Sequence, residues 1–194
     1  MRSDLFVGRY KRRPRLKGFE YTGCYRYFIT ICTQNKNPVF HNEEIAKQYI
    51  GLLAEKAIVF RFKVWVYCFM PDHVHFLAEG LDQDADLKKF VSSFKQSTGY
   101  HFSLSNKGKA VNMHGRAKAL GYGKMGDLDD VAQGFSPAHK AKLWQPSFYD
   151  HVLRKDEDLL DTVKYIFNNP VRKKIVAHYL DYHLSGSSEL DGKL

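Results

Sequence analysis

The chain has 194 residues, 44% of them hydrophobic, with 30 Lys and Arg against 21 Asp and Glu, a formal charge of +9. That length and apolar content suffice for one globular domain with a real core, and the positive surplus favours an anionic partner, nucleic acid or an acidic membrane face. No apolar run approaches the roughly 20 residues that span a bilayer, and the opening MRSDLFVGRYKRRPR turns basic before a signal-peptide core could form, which excludes a spanning segment and points to the cytoplasm.

In chain order, residues 1–20 read as a basic arm. Within it RYKRRPRLK carries Arg or Lys at six of nine positions, a solvated segment that would add salt-dependent affinity for phosphates through Arg12, Arg13 and Arg15. YRYFITICT, from Tyr25 to Thr33, alternates and is rich in β-branched and aromatic residues, the mark of a strand. After the break at NKNP, the spacing of Ile45, Ala46, Tyr49, Ile50, Leu52, Leu53 and Ala57 predicts a helix from Glu43 to Phe60 lying on a sheet. Phe62 to Phe69 predicts a second strand, joined by a turn at Met70-Pro71-Asp72 to HVHFLAE as a hairpin. A second helix is expected from Asp84 to Phe102, with Leu87, Phe90, Val91 and Phe94 inward and Lys88, Lys89 and Lys95 outward.

From Leu104 to Leu143 the pattern stops, and residues 104–143 read as a mobile insertion. SFYDHVLR predicts a fourth strand, followed by a third helix from Asp156 to about Asn169 and a frayed tail over residues 181–194. Strand, helix, two-stranded hairpin, helix, strand is the split-βαβ pattern. The expected class is therefore α+β, a ferredoxin-like antiparallel sheet backed by helices over residues 21–180, with an additional C-terminal helix. Cys24, Cys32 and Cys68 lack CxxC spacing and are expected to be reduced and buried.

Two places carry candidate chemistry. On a strand His73, His75 and Leu77 share one face while Val74, Phe76 and Ala78 share the other, so the two imidazoles can offer nitrogens to one divalent cation. The alternative is a solvent-facing pair on a half-exposed strand, and two histidines alone are too few ligands. On the third helix Leu159, Leu160, Val163, Ile166 and Phe167 form the core side, which leaves Tyr165 nearly opposite, flanked by Asp161 and Asn169. Pro170 opposes continuation of that helix.

YCFMPDHVHFLAE together with LWQPSFYDHVLRKDEDLLDTVKYIFNNPVRKKIV resembles the single-tyrosine HUH transposases of the IS200-like group, in particular the REP-associated tyrosine transposase branch. HUH denotes His, a bulky hydrophobic residue, His. The resemblance spans about Tyr21 to Val176. It implies Mg²⁺ or Mn²⁺ held by His73 and His75 with Asn169 as a further ligand, and Tyr165 as the nucleophile that cleaves DNA and leaves a 5′-phosphotyrosine. It also implies a single-stranded or hairpin DNA partner in the nucleoid and a protein acting as a monomer, or as a homodimer that exchanges this helix. Lys88, Lys95, Arg172 and Lys173 would extend the phosphate track, and His151 is a candidate accessory group. Two other readings remain open from the residues themselves: a non-catalytic binder of structured DNA or RNA, and a metal phosphohydrolase that releases free product.

Overall fold

The computed structural model describes residue 16 and residues 18–119, 142–154 and 159–187, with side chains in the long helix described as far as residue 106. The arm residues Arg12, Arg13 and Arg15, most of the expected insertion and the end of the tail lie outside the described residues. Five strands form one antiparallel sheet in the order β4-β1-β3-β2-β5: β1 (Arg26–Cys32), β2 (Phe62–Met70), β3 (His73–Gly80), β4 (Tyr149–Val152) and β5 (Ser185–Gly186). The helices are α1 (Glu43–Val59), α2 (Leu87–Ala119), α3 (Leu159–Phe167) and α4 (Asn169–Arg172). β3 lies between β1 and β2, which is the split-βαβ arrangement expected from the sequence.

Local chemistry sets the element boundaries. Asn42 starts α1 by accepting hydrogen bonds from the backbone N–H groups of Glu44 and Ile45 at 3.1 and 3.2 Å. Ala46, Tyr49, Leu53 and Ala57 of α1 and Phe90, Val91 and Phe94 of α2 bury one face of the sheet together with Ile29, Ile31, Val74, Phe76 and Ala78. Thr98 ties this layer together. Its carbonyl accepts from the Tyr49 hydroxyl at 3.0 Å, and its own hydroxyl accepts from the Trp144 indole at 2.8 Å. Trp144 belongs to the segment that returns along the end of β1, where Gln34 N–H donates to the Leu143 carbonyl and Gln145 N–H to that of Cys32.

The opposite face of the sheet has a smaller core of its own. Phe28, Val66, Cys68, Met70 and Leu77 pack there against Val163, Ile166 and Phe167 of α3. A β-bulge between Val64 and Val66 helps, because the extra residue leaves Trp65 and Val66 both available to this side.

Several expectations need correction. α2 does not end near Phe102 but continues to Ala119, so residues 104–119 are helix rather than structureless insertion. Asp84 and its neighbours precede the helix. α3 ends at Phe167, and Pro170 does not simply stop it: proline occupies the first turn of a new helix, α4, where its missing N–H has no intrahelical partner to lose. Leu160, expected in the core, is 46% exposed, while Thr162 takes a buried position on α3. Of the cysteines only Cys68 is fully buried, and Cys24 is exposed.

Ile166 is fully buried where α3 meets the sheet. Ile166→Ala leaves a cavity there and is expected to lower stability by about 2–5 kcal/mol, read as a shift of the urea unfolding midpoint. A midpoint unchanged from wild type would mean that α3 is not docked on this face.

Candidate functional site

The strand alternation of β3 builds the site. Val74, Phe76 and Ala78 enter the large core, while His73, His75 and Leu77 project to the other face. The register sets Thr30 of β1 and Cys68 of β2 beside His75, and Cys32 and Met70 beside His73. Thr30, Cys32, Met70, Asp72 and the two histidines line a depression of about 390 Å³, and Lys36 and Lys173 also line it.

Hydrogen bonds fix both imidazoles. His73 Nδ1 lies 2.5 Å from Asp72 Oδ1, and His75 Nδ1 lies 2.8 Å from Thr30 Oγ1. A carboxylate only accepts, so His73 carries its proton on Nδ1 and presents a lone pair at Nε2. The Thr30 hydroxyl can accept from or donate to His75 Nδ1, and where it accepts, the second ring takes the same tautomer as the first. The two Nε2 atoms are 3.0 Å apart. In that tautomer two lone pairs face each other across the gap and a shared cation would relieve their repulsion, whereas in the other tautomer His75 Nε2–H donates to His73 Nε2. Two nitrogens about 2.1 Å from one ion and at right angles to each other would be separated by about 3.0 Å, so this donor pair fits a divalent cation. Among the described residues no cluster of three or more His, Cys, Asp and Glu side chains could hold a metal. Among the described residues, further donors to the same ion would be amide, hydroxyl or backbone oxygens, with water or substrate completing the set.

Electrostatics keep the pair neutral. His75 is 7% exposed. Burial first, then His73 and the nearby Arg172 and Lys173, hold its imidazole well below the usual histidine range. Burial also lowers His73, against the opposing pull of Asp72. Neutral imidazole is the ligating form.

Tyr165 corrects the helical-wheel reading. It does not sit on a polar face pointing away from the core. It is half-buried against the smaller core, with its ring edge-on to Phe28 at 5.7 Å and to His75 at 6.2 Å between centroids. The Arg172 guanidinium lies 4.8 Å from the centre of the tyrosine ring. Thus α3 and α4 bring Tyr165, Arg172 and Lys173 to the histidine side of the sheet.

Other sequence candidates fare differently. Asn169 is 5% exposed at the start of α4 and does not line the depression. Lys95 is not an outward phosphate contact: its ammonium donates to the carbonyls of Gln145, Pro146 and Ser147 at 2.8 to 3.2 Å. Lys88 is exposed, with its ammonium 5.2 Å from the Tyr21 ring, on the helix that covers the face of the sheet opposite the histidines. His151 pairs with Phe28 across β1 and β4, which puts it on the histidine face although it does not line the depression. Sequence reasoning passed over Asp72, Thr30 and Lys36. Asp72 sat in the turn that was read only as a turn, and the sole signal for Thr30 was its register opposite His75, which needs the sheet to be known.

Comparison with known proteins agrees with this fold. A family model described as "Transposase IS200 like" matches residues 22–117. An uncharacterized protein of Haemophilus influenzae is 23% identical over 171 residues, covering 84% of this chain and 89% of its own length. A second Haemophilus influenzae protein, named as a candidate REP-associated tyrosine transposase, is 24% identical over 159 residues, covering 82% of this chain and 77% of its own. Among solved structures, a REP-associated tyrosine transposase bound to a REP hairpin aligns with a TM-score of 0.59 at 16% identity, over 90% of this chain and 81% of that one. At that identity the likeness is one of fold.

The lowered histidines make a pH signature. A histidine whose folded pKa lies below its unfolded value of about 6.5 contributes stability that is fully present above that pH and is lost as pH falls through the folded value. The His73 and His75 ring resonances are therefore expected to titrate below pH 6.5, with His75 the lower, and the unfolding midpoint to fall on acidification in step. Ordinary titration of both rings near 6.5 would contradict the buried pair.

Proposed function

Starting from a chain that belongs to the IS200-like transposase family, we propose that this protein nicks and rejoins single-stranded or hairpin DNA through a covalent link between Tyr165 and a 5′-phosphate. The observation that carries the reading is the meeting of the Tyr165 ring with His75, two groups separated by ninety positions of sequence and joined by the docking of α3.

The roles follow from chemistry. The phenol oxygen of Tyr165 bonds to phosphorus while the bond from phosphorus to the 3′-oxygen breaks. The phenol gives up its proton, and the departing 3′-oxygen gains one to become a hydroxyl. Because a phosphodiester replaces a phosphodiester, the exchange runs in either direction without an external energy source. A phenol must lose its proton to attack, and its oxygen, stabilised by the ring, leaves more readily than an alkoxide in the rejoining step. His73 and His75 would hold Mg²⁺ or Mn²⁺, and such an ion supplies charge stabilisation to the scissile phosphate. Asp72 and Thr30 orient the two rings through Nδ1. Arg172 beside the tyrosine, and Lys173 and Lys36 at the depression, are positioned to attract the phosphate backbone. The REP hairpin in the related solved structure supports a folded DNA strand as the substrate.

Tyr165→Phe is expected to keep its affinity for a labelled hairpin oligonucleotide and to form no covalent adduct with it on a denaturing gel in the presence of Mn²⁺. An adduct with that variant would assign the nucleophile elsewhere. Asp72→Asn should weaken Mn²⁺ binding by roughly 10- to 100-fold, measured by the loss of the free-ion EPR signal on titration. Equal affinity in both proteins would remove Asp72 from the site.

A further inference from the structure

Tyr149 begins β4, the outermost strand on one side of the sheet. Its register partner is Thr30, whose own partner on the next strand is His75. Directly paired residues in a sheet project to the same side, so Tyr149, Thr30 and His75 form one row across the histidine face. Two strand spacings of about 4.8 Å separate the outer members of that row. The ring therefore stands roughly 10 Å from the candidate centre, beside it and not in it.

Three observations single this residue out. Tyr149 is 46% exposed, although an edge-strand aromatic normally packs its ring on the sheet. Among the described residues its side chain has no ring contact, ion pair or hydrogen bond, whereas Phe28, Tyr165 and His75 on the same face all interlock. Finally, the same side of the sheet carries the cationic groups Lys36, Arg172 and Lys173, which suit a strand of phosphates running through the site. An open aromatic face next to a basic track is the arrangement on which bases of a single strand stack.

We infer that Tyr149 is a stacking platform for an unpaired nucleobase next to the scissile phosphate. The inference rests on the proposed action on DNA and adds a residue that grips the base while Tyr165, His73 and His75 address the phosphate. Stacking is indifferent to base identity, because every base has a π-face. The platform thus orders the strand without reading its sequence.

Two fluorescein-labelled probes separate the possibilities: a dT12 strand and a 12-unit abasic backbone with the same number of phosphates. Tyr149→Ala should bind dT12 about tenfold more weakly than wild type and the abasic strand equally well, while Tyr149→Phe should match wild type on both. Equal losses on both probes, or no loss on either, would overturn the platform. Loss of dT12 affinity in the Phe variant as well would assign a hydrogen-bonding role to the hydroxyl and would also overturn it. Melting temperatures of the two variants guard against simple unfolding. If wild type binds neither probe, the action on single strands falls together with the platform. If wild type forms its adduct while Tyr149→Ala binds normally, only the platform falls.

Discussion

Everything in this molecule depends on burying both sides of β3. A strand with one wet face would carry its two histidines into water, where their rings would rotate and their protons would exchange among several arrangements. Here α1 and α2 cover Val74, Phe76 and Ala78, and α3 covers Leu77 and the edge of His75. Burial disfavours the imidazolium forms. It also raises the energetic cost of leaving ring nitrogens without partners, so the Asp72 and Thr30 hydrogen bonds become effective constraints on tautomer and orientation. The candidate metal site is therefore a consequence of packing, not only of the two histidines.

The turn that presents His73 is held from outside. Pro71 has a fixed φ near −65°, which is incompatible with the primed turns that normally close a two-residue hairpin. Neighbouring chain supplies the restraint. The Asp72 carbonyl accepts from both the N–H and the hydroxyl of Thr33, at 2.9 Å each, and the Pro71 carbonyl accepts from Phe40 N–H at 3.1 Å. Met70 and His73 consequently pair immediately on either side of the turn. The same Thr33 hydroxyl also bonds the Asn37 carbonyl at 2.8 Å. That bond closes a loop in which Asn35 and Lys36 both adopt positive φ, near 55°, a conformation that costs a non-glycine residue roughly 1–2 kcal/mol. The strained loop is what carries Lys36 to the depression that Asp72 and His73 share.

Four of the five strands were legible from residue patterns, because alternation in β1 to β3 and the three-to-four spacing in α1 report burial directly, but β5 lies in residues 181–194 that read as a frayed tail and is held by pairing with β2. The sidedness of the histidines followed from the same alternation. What could not be read was anything that needs a second surface. The wheel for α3 assumed one core and one wet side, so it turned Tyr165 outward and Leu160 inward. In the structure α3 lies on the histidine face, and its apolar arc runs through Val163, Ile166 and Phe167 with Tyr165 at its margin against Phe28. Lys95 looked like any exposed helical lysine until three carbonyls of the returning segment met it. The helical continuation of α2 beyond Phe102 was hidden by residues rich in Gly, Lys and small side chains, whose few large apolar groups carry no periodic signal.

Placing the tyrosine and the histidines on different elements has a physical consequence. The histidines sit on the central strands, where ladders on both sides restrict movement. Tyr165 rides on a helix of nine residues, anchored through Val163, Ile166 and Phe167 and followed by the break at Asn168. A short helix has little stability apart from its tertiary contacts, so its position is set by that small core alone. The half of the site that carries the histidines is held by strand ladders on both sides, and the half that carries Tyr165 can shift by repacking a few side chains. Arg172 lies beyond the break yet stacks back on the Tyr165 ring, so α3 and α4 have a reason to move together. For the proposed exchange reaction this division would let one half hold phosphate in place while the other retains a covalently attached strand.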